Sequence, residues 1–288
     1  MLRIRIITAV IIALVFLGAL FFLPAAAWPV FTFLIAMVAL WEWTKMARFE
    51  GAAALIFLSL SLALGLLLLY ALSQSRQEPA GKLGQQIILL SFAAASLFWI
   101  IIVPLWLKFA WRPNNLSVLA ATGWLIVLPT WFALIVLRDH SPWILLGLMA
   151  LIWVADIAAY SVGRAFGKHK LAPGISPGKT WEGVAGAMLG VLIYAVLCVW
   201  LAARFGNAEV KTLLANGMLA LIAFPVLVVL GVVGDLFESW MKRGAGLKDS
   251  SQLLPGHGGV LDRIDALTST LPVAAAFVVF MASRLVSP

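Results

Sequence analysis

The residues best suited to chemistry lie in the run 234–267, which mixes carboxylates, cations and glycines within an otherwise apolar chain. Four polar residues of this run follow the spacing i, i+3, i+4 and i+7, which places all four on one face of a helix. These four are Asp235, Glu238, Ser239 and Lys242. The pattern therefore predicts two carboxylates and an ammonium group on the same side of one helix.

A second pair of acids, Asp262 and Asp265, stands at the spacing i, i+3 where the last apolar segment begins. Carboxylates are favoured there because the first turn of a helix carries the positive end of its dipole. Carboxylates from two helix ends can hold a hard divalent cation such as Mg²⁺, which takes oxygen ligands and often binds phosphate as well. A solvated loop of mutually paired charges is the alternative interpretation of these residues.

Basic side chains and a glycine-rich turn accompany the acids. Successive backbone N–H groups of the turn, residues 255–259, can form a nest for an anion, although a plain turn has the same composition. Cationic side chains of the kind found here also clamp phosphoryl oxygens. The basic residues are Lys242, Arg243, Lys248, His257 and Arg263. Acids, cations and glycines together favour a metal-dependent phosphate site over a loop of paired charges.

One further acid, Asp156, lies inside an apolar segment. It stands about two helical turns, roughly 10 Å, before the charged end of that segment at Arg164. An acid at such a depth in lipid indicates a functional site, and the alternative is a hydrogen bond between helices.

The loop after this segment is basic and contains Lys168, Lys170 and Lys179. Such a loop can hold phosphate or anionic lipid. The Gly-Lys-Thr sequence that ends at Thr180 is not the end of a P-loop, because that motif requires glycine at position 173, where this chain has proline.

The composition of the chain indicates that these polar residues belong to a membrane protein. The chain has 288 residues, of which 64% are hydrophobic and 11% charged, and its mean hydropathy is +1.07. A soluble domain has about half apolar residues. Nine segments are long enough to cross the roughly 30 Å of bilayer hydrocarbon. They cover residues 6–23, 28–44, 52–72, 87–107, 117–137, 143–163, 183–203, 213–234 and 266–284. The predicted fold is all-α, a polytopic membrane protein with about nine transmembrane helices.

Charge and cysteine content narrow the class further. The single cysteine, Cys198, excludes an intramolecular disulfide and a cysteine-based zinc site. The net charge of +8 does not indicate nucleic acid, because the cations are distributed as the positive-inside rule requires. With the N-terminus inside, fourteen lysines and arginines are cytoplasmic and six are not. Those six are Arg76, Lys82, Arg138, Arg204, Lys211 and Arg284.

The sequence predicts a single integral membrane domain, residues 1–288, with N-terminal spans over 1–140 and a catalytic part over 150–270. The first segment has basic residues before it and Ala25-Ala26-Ala27 after it, as a signal peptide does. Its apolar core of 18 residues is longer than the usual 7–15, so we expect an uncleaved span.

The polar run resembles the signature of the phosphatidate cytidylyltransferase (CDP-diacylglycerol synthase) family. The matching residues are Ser239, Lys242-Arg243, Lys248-Asp249, His257-Gly258-Gly259 and Asp262-Arg263-Ile264-Asp265. Residues 153–160, 167–173 and 176–181 are also similar to bacterial members. The specific resemblance covers about residues 150–270, whereas residues 50–140 contribute little beyond hydrophobicity.

The resemblance implies that CTP and phosphatidate are converted to CDP-diacylglycerol and pyrophosphate in phospholipid biosynthesis. It implies a two-cation centre containing Mg²⁺, with Asp235 and Asp262 as the principal metal ligands and Glu238 and Asp265 close by. The candidate catalytic residues are Lys242, Arg243, Lys248, Asp249, His257, Arg263 and Asp265. The candidate substrate-binding residues are Asp156, Lys168, Ser176, Lys179, Ser239, Gly258 and Gly259.

The expected partners are CTP and membrane-embedded phosphatidate, with no nucleic acid, and the resemblance suggests a homodimer. The expected location is the bacterial inner membrane, with the N-terminus and the active site facing the cytoplasm. Two alternatives compete with this interpretation. One is a CTP-dependent polyprenol kinase, which the signature disfavours. The other is an ion-coupled transporter with Asp156 as its ion site, although the internal repeats and broken helices of transporters are not evident in the sequence.

Overall fold

The computed structural model describes residues 2–74, 81–206, 210–211, 214 and 217–286. Arg76 and the first part of the predicted span 213–234 therefore lie outside the described residues. The helices are α1 (Leu2–Phe22), α2 (Ala27–Met46), α3 (Gly51–Gln74), α4 (Gly81–Leu97), a π-helical turn (Phe98–Ile102), α5 (Val103–Lys108), α6 (Leu116–His140), α7 (Pro142–Phe166), α8 (Trp181–Phe205), α9 (Gly217–Gly244) and α10 (Leu261–Val286).

Helical segments long and apolar enough to span a membrane number nine in the described part of the chain. The segment Gly84–Lys108, which joins α4, the π-helical turn and α5, counts as one of them. Each overlaps one predicted span, so the all-α, multi-pass prediction is confirmed. The physical reason is that a helix satisfies its own backbone polar groups, as a segment surrounded by lipid must.

A two-stranded antiparallel hairpin interrupts the helices where the sequence predicted a loop. Its strands are β1 (Lys170–Ala172) and β2 (Ser176–Thr180), with Lys170 opposite Thr180. The Ile175 N–H donates to the Ala172 carbonyl at 3.1 Å and closes the turn. The hairpin carries Lys179 toward the helices that hold the acids.

Tryptophan side chains join α2 to α6 in the buried core. The indole N–H of Trp28 donates to the Leu134 carbonyl at 3.0 Å, and that of Trp43 donates to the Leu119 carbonyl at 2.9 Å. Both side chains are almost fully buried. Because a buried N–H without a partner is costly, these bonds hold α2 in one orientation against α6.

Close packing of α9 against α10 brings the two acidic pairs together. A Cβ on Gly234 would lie 2.8 Å from the Asp265 carbonyl oxygen, so only glycine permits the observed approach. The Ser269 hydroxyl adds a hydrogen bond to the Leu230 carbonyl at 2.8 Å. Helix α9 continues ten residues beyond the predicted end of its span, to Gly244, and therefore carries the first acidic pair on regular helix.

Candidate functional site

An ion cluster of one lysine and two carboxylates lies between α9 and α10. The Lys242 ammonium is 2.7 Å from Glu238 Oε2 and 2.5 Å from Asp262 Oδ1. The three side chains are only 12%, 7% and 5% exposed, respectively. When both carboxylates are ionised, the cluster carries one excess negative charge, which is costly in a buried place unless a further cation compensates it.

The second oxygen of Asp262 is held by the loop that precedes α10. Asp262 Oδ2 accepts hydrogen bonds from the Ser250 N–H at 2.9 Å, the Ser250 hydroxyl at 2.9 Å and the Gly259 N–H at 2.7 Å. A Cβ on Gly258, whose φ is +80°, would lie 2.6 Å from the same oxygen. One N–H group of the predicted anion nest, that of Gly259, thus binds a carboxylate of the protein itself.

A second ion pair joins the hairpin to α9. Lys179 Nζ, on β2, lies 2.5 Å from Asp235 Oδ2, and the Ser239 hydroxyl donates to Asp235 Oδ1 at 3.3 Å. Asp235 is 33% exposed, far more than Asp262. Its position is therefore open to a ligand that arrives from outside the helix bundle.

That opening is a cavity of about 440 Å³ between α7, α8, α9 and the hairpin. Four of the predicted site residues line it: Asp156, Ser176, Lys179 and Asp235. Its remaining wall is largely apolar or small, with Ile152 and Val228 among the lining residues. A polar end beside apolar helix surface suits an amphiphile whose head group carries charge.

Two cavity residues were not predicted as binding residues. Arg164 Nη1 donates to the Tyr160 hydroxyl at 3.0 Å, and both side chains line the cavity and are exposed. The arginine adds a positive charge to the wall formed by α7. The sequence signal for it was its place at the charged end of the span that contains Asp156.

The remaining acid, Asp265, lies in the first turns of α10, where its Oδ1 accepts from the Ala266 N–H at 2.8 Å. It is close enough to both Asp235 and Glu238 for their charges to interact. All four predicted metal ligands therefore belong to one electrostatic neighbourhood. A cation bound among them would relieve the mutual repulsion of their ionised forms.

Whether Mg²⁺ suits these residues can be judged from their chemistry. Among the described residues, no three histidine, cysteine or acidic side chains converge closely enough to enclose a metal ion. The side chains are nevertheless carboxylates, which Mg²⁺ prefers, and Mg²⁺ commonly takes one or two carboxylates plus substrate phosphates. Glu238 Oε1 is also buried without a hydrogen-bond partner in the described structure. The donor set thus fits Mg²⁺, with Lys179 and Lys242 compensating the carboxylates.

Several predicted residues lie outside this cluster. Lys168, Lys248 and Asp249 are exposed, and Arg243 donates to the Leu247 carbonyl at 3.3 Å just beyond the end of α9. Arg263 is also exposed, although it is near enough to Asp156 for their charges to interact. Their proposed catalytic or binding roles remain predictions.

His257 is half-buried in the turn before α10, and its Nδ1 is buried without a hydrogen-bond partner among the described residues. The other histidine of the region, His169, is exposed and contacts Glu182, with 2.6 Å between Nδ1 and Oε1. That contact fixes the start of the hairpin to the first turn of α8. A catalytic role for His257 also remains a prediction.

Sequence reasoning missed Glu42, which is fully buried in α2 and contacts the loop that holds Asp262. The signal was present, since Glu42 is an acid inside an apolar span, as Asp156 is. No candidate motif lies near it in the sequence.

Comparison with known proteins matches the chain along almost its whole length. The sequence profile of the cytidylyltransferase family matches residues 3–281. The phosphatidate cytidylyltransferase of Pseudomonas aeruginosa is 37% identical over 287 residues, which cover 96% of each chain. That of Haemophilus influenzae is 36% identical over 298 residues, covering 98% of this chain and 100% of the relative. A Brucella suis relative of the same name is 46% identical over a shorter stretch of 134 residues. These matches confirm the resemblance found in the polar motifs, and the chain belongs to the cytidylyltransferase family.

Proposed function

We propose that this protein transfers a cytidylyl group from CTP to phosphatidate, forming CDP-diacylglycerol and pyrophosphate. The observation that carries the proposal is the cavity in which Asp235 and Lys179 meet apolar helix surface beside the buried cluster of Lys242. Relatives that align along nearly the whole chain bear the name phosphatidate cytidylyltransferase, which supports the same reaction.

In the proposed reaction, an oxygen of the lipid phosphate attacks the α-phosphorus of CTP. A new oxygen–phosphorus bond forms as the bond between the α-phosphorus and the bridging oxygen to the β-phosphate breaks, and pyrophosphate leaves. The attacking group is already an anion at neutral pH, so the site needs no strong general base. Its task is to position the two substrates and to stabilise the growing negative charge.

The positions of the residues suggest which of them bind the substrates and which stabilise charge. Lys179 and Arg164 line the cavity and can bind phosphate oxygens there, while the apolar wall can contact the lipid. Lys242 lies deeper and can stabilise charge on the pyrophosphate that leaves. Asp235 and Asp262, with Glu238 and Asp265 nearby, would hold Mg²⁺ in a two-cation centre. When bound, the cations neutralise phosphate charge and orient the triphosphate.

Reconstitution tests the proposed function directly. Purified protein with CTP, phosphatidate and Mg²⁺ is expected to release pyrophosphate and to form CDP-diacylglycerol in equal amounts, and EDTA should stop both. The two products are measured by a coupled phosphate assay and by lipid mass spectrometry. Replacing phosphatidate with a polyprenol separates this proposal from the kinase alternative. Phosphorylation of the polyprenol in place of cytidylyl transfer would refute the proposal.

We also propose that the protein lies in the bacterial inner membrane, with its N-terminus and the site on the cytoplasmic side. The positive-inside distribution of lysine and arginine supports this orientation. The resemblance to the family further suggests a homodimer, which mass measurement in detergent would test.

Cysteine labelling tests the orientation. In a background with Cys198→Ala, we expect Gln252→Cys to be shielded from a membrane-impermeant maleimide added to intact spheroplasts, and Ala25→Cys to react. Both positions are exposed, one in the loop between α9 and α10 and the other in the loop after α1. Permeabilised cells provide the control, because both cysteines should then react. Labelling of position 252 in intact spheroplasts would overturn both the orientation and the cytoplasmic site.

A further inference from the structure

The buried carboxylate of Glu42 binds the loop that precedes α10. Its Oε1 accepts from the Ser251 hydroxyl at 2.6 Å and the Val260 N–H at 2.9 Å. Its Oε2 accepts from the Leu261 N–H at 2.7 Å and the Ser250 hydroxyl at 3.2 Å. All four donors are neutral. The side chain is 0% exposed, so these bonds replace the water that the carboxylate loses on burial.

Two of these donors are backbone groups at the start of α10. The first N–H groups of a helix have no partner within the helix and need an acceptor from elsewhere. Glu42 supplies that acceptor from α2, which is more than two hundred positions away in the sequence, as the separations of 218 and 219 residues show. It therefore sets where α10 begins relative to α2, and Asp262 is the next residue of α10.

Ser250 links Glu42 to Asp262. Its hydroxyl lies 3.2 Å from Glu42 Oε2 and 2.9 Å from Asp262 Oδ2, and it is buried. A hydroxyl has one proton to donate, so it can donate to only one of the two carboxylates at a time. The adjacent Ser251 donates its one hydroxyl proton to Glu42 Oε1 at 2.6 Å and accepts from the Leu253 N–H at 3.1 Å, so it has no proton left for Asp262.

Gly259 is also explained by this arrangement. A Cβ at that position would collide with both the Ser250 hydroxyl and Glu42 Oε1. One glycine of the turn therefore leaves room for Glu42, as Gly258 leaves room for Asp262. The turn that the sequence suggested as a phosphate nest therefore packs against two carboxylates of the protein, those of Glu42 and Asp262.

We propose that Glu42 is a positioning residue for the reaction. It fixes Ser250 and the start of α10, and through them it orients Asp262 toward Lys242 and the cation that the site binds. The proposal rests on the proposed function only in that Asp262 belongs to the site. Outer partners of metal ligands typically change metal affinity or activity by about 10–100-fold when removed.

The test compares Glu42→Gln, Ser250→Ala and the double variant, with Ser251→Ala as the matched control. Glutamine has the same shape, but its amide group presents one acceptor oxygen and an NH₂ group to four donors. Ser250→Ala removes the hydroxyl that contacts both carboxylates and keeps the Ser250 N–H bond to Asp262, whereas Ser251→Ala removes a hydroxyl bond to Glu42 alone. Binding of Mn²⁺ as a substitute for Mg²⁺ is measured by the electron paramagnetic resonance signal of the free ion, and hydrogen exchange of residues 250–262 is measured in metal-free protein.

We expect Glu42→Gln and Ser250→Ala each to weaken Mn²⁺ binding by about tenfold. The loss in the double variant should be smaller than the product of the two single losses, since Ser250 is one of the two routes by which Glu42 acts. Glu42→Gln should also speed exchange over residues 250–262, and Ser251→Ala should lower Mn²⁺ affinity far less than the roughly tenfold loss expected for Ser250→Ala. A mere structural role would reduce the folded fraction but not the Mn²⁺ affinity of the protein that is folded.

Equal loss of Mn²⁺ affinity in Ser250→Ala and Ser251→Ala would overturn the proposed path through Ser250. Unchanged affinity in Glu42→Gln would overturn the positioning role itself. If Glu42→Gln does not fold, Glu42→Asp takes its place, because it keeps the charge but withdraws the carboxylate from the Val260 and Leu261 N–H groups. Unchanged Mn²⁺ affinity in that variant would overturn the positioning role in the same way. A failure of the proposed site is distinguishable, because Asp262→Asn would then bind Mn²⁺ and turn over as the unmodified protein does.

Discussion

Replacing Asp262 with asparagine is expected to abolish cytidylyl transfer. Each oxygen of Asp262 has a defined task, since Oδ1 contacts Lys242 and Oδ2 accepts three hydrogen bonds from Ser250 and Gly259. An asparagine amide must turn its NH₂ group toward either the ammonium or these donors, and it carries no charge to attract a cation. The measurement is pyrophosphate release at saturating CTP, together with the melting temperature in detergent.

Asp235→Asn is the companion variant, because the two changes separate chemistry from stability. Asp235 is 33% exposed and bonded mainly to Lys179, so its neutralisation should disturb the fold less than that of the buried Asp262. We expect turnover to be lost in both and any residual activity to need more Mg²⁺. Glu50→Gln, which neutralises an exposed acid just before α3, is the control. Turnover at the unmodified rate in either aspartate variant would show that the residue is not a ligand of the proposed metal site.

Replacing Lys242 with glutamine is expected to lower kcat by about 10²-fold or more and to raise the KM for CTP by much less. The loss is that of a preorganised donor whose benefit is larger in the transition state than with bound substrate. The structure adds a stability effect, since Glu238 and Asp262 would lose the ammonium that lies between them. Removing one partner of a buried ion pair lowers the free energy of unfolding by about 3–5 kcal/mol.

Lys170→Gln is the matched control for Lys242→Gln, because Lys170 is an exposed lysine on the hairpin strand β1. It should change kcat and the melting temperature little. The two quantities are measured on the same preparation, so that a lower folded fraction is not mistaken for slower chemistry. If Lys242→Gln altered only the KM for CTP, or if Lys170→Gln were equally damaging, the cations would act by general attraction of anions.

The class of protein and many residues of the candidate site could be predicted from the sequence. Apolar segments of membrane-spanning length predict helices because lipid leaves the backbone no other hydrogen-bond partner. The helical spacing from Asp235 to Lys242 is local information, and the structure confirms the continuous helix that it predicts. The motifs from Ser239 to Asp265 identified the family, which the comparisons confirm.

Which of these residues come into contact depends on how the elements pack. Three sets of contacts join separate elements. Lys179 pairs with Asp235, Lys242 lies between Glu238 and Asp262, and Glu42 binds the start of α10. No periodicity in the sequence encodes such pairs, because they depend on how α2, α9, α10 and the hairpin pack. A buried carboxylate must find its donors wherever the packing places them. That is why an acid in the second span, far from every motif, holds the loop on which the candidate site depends.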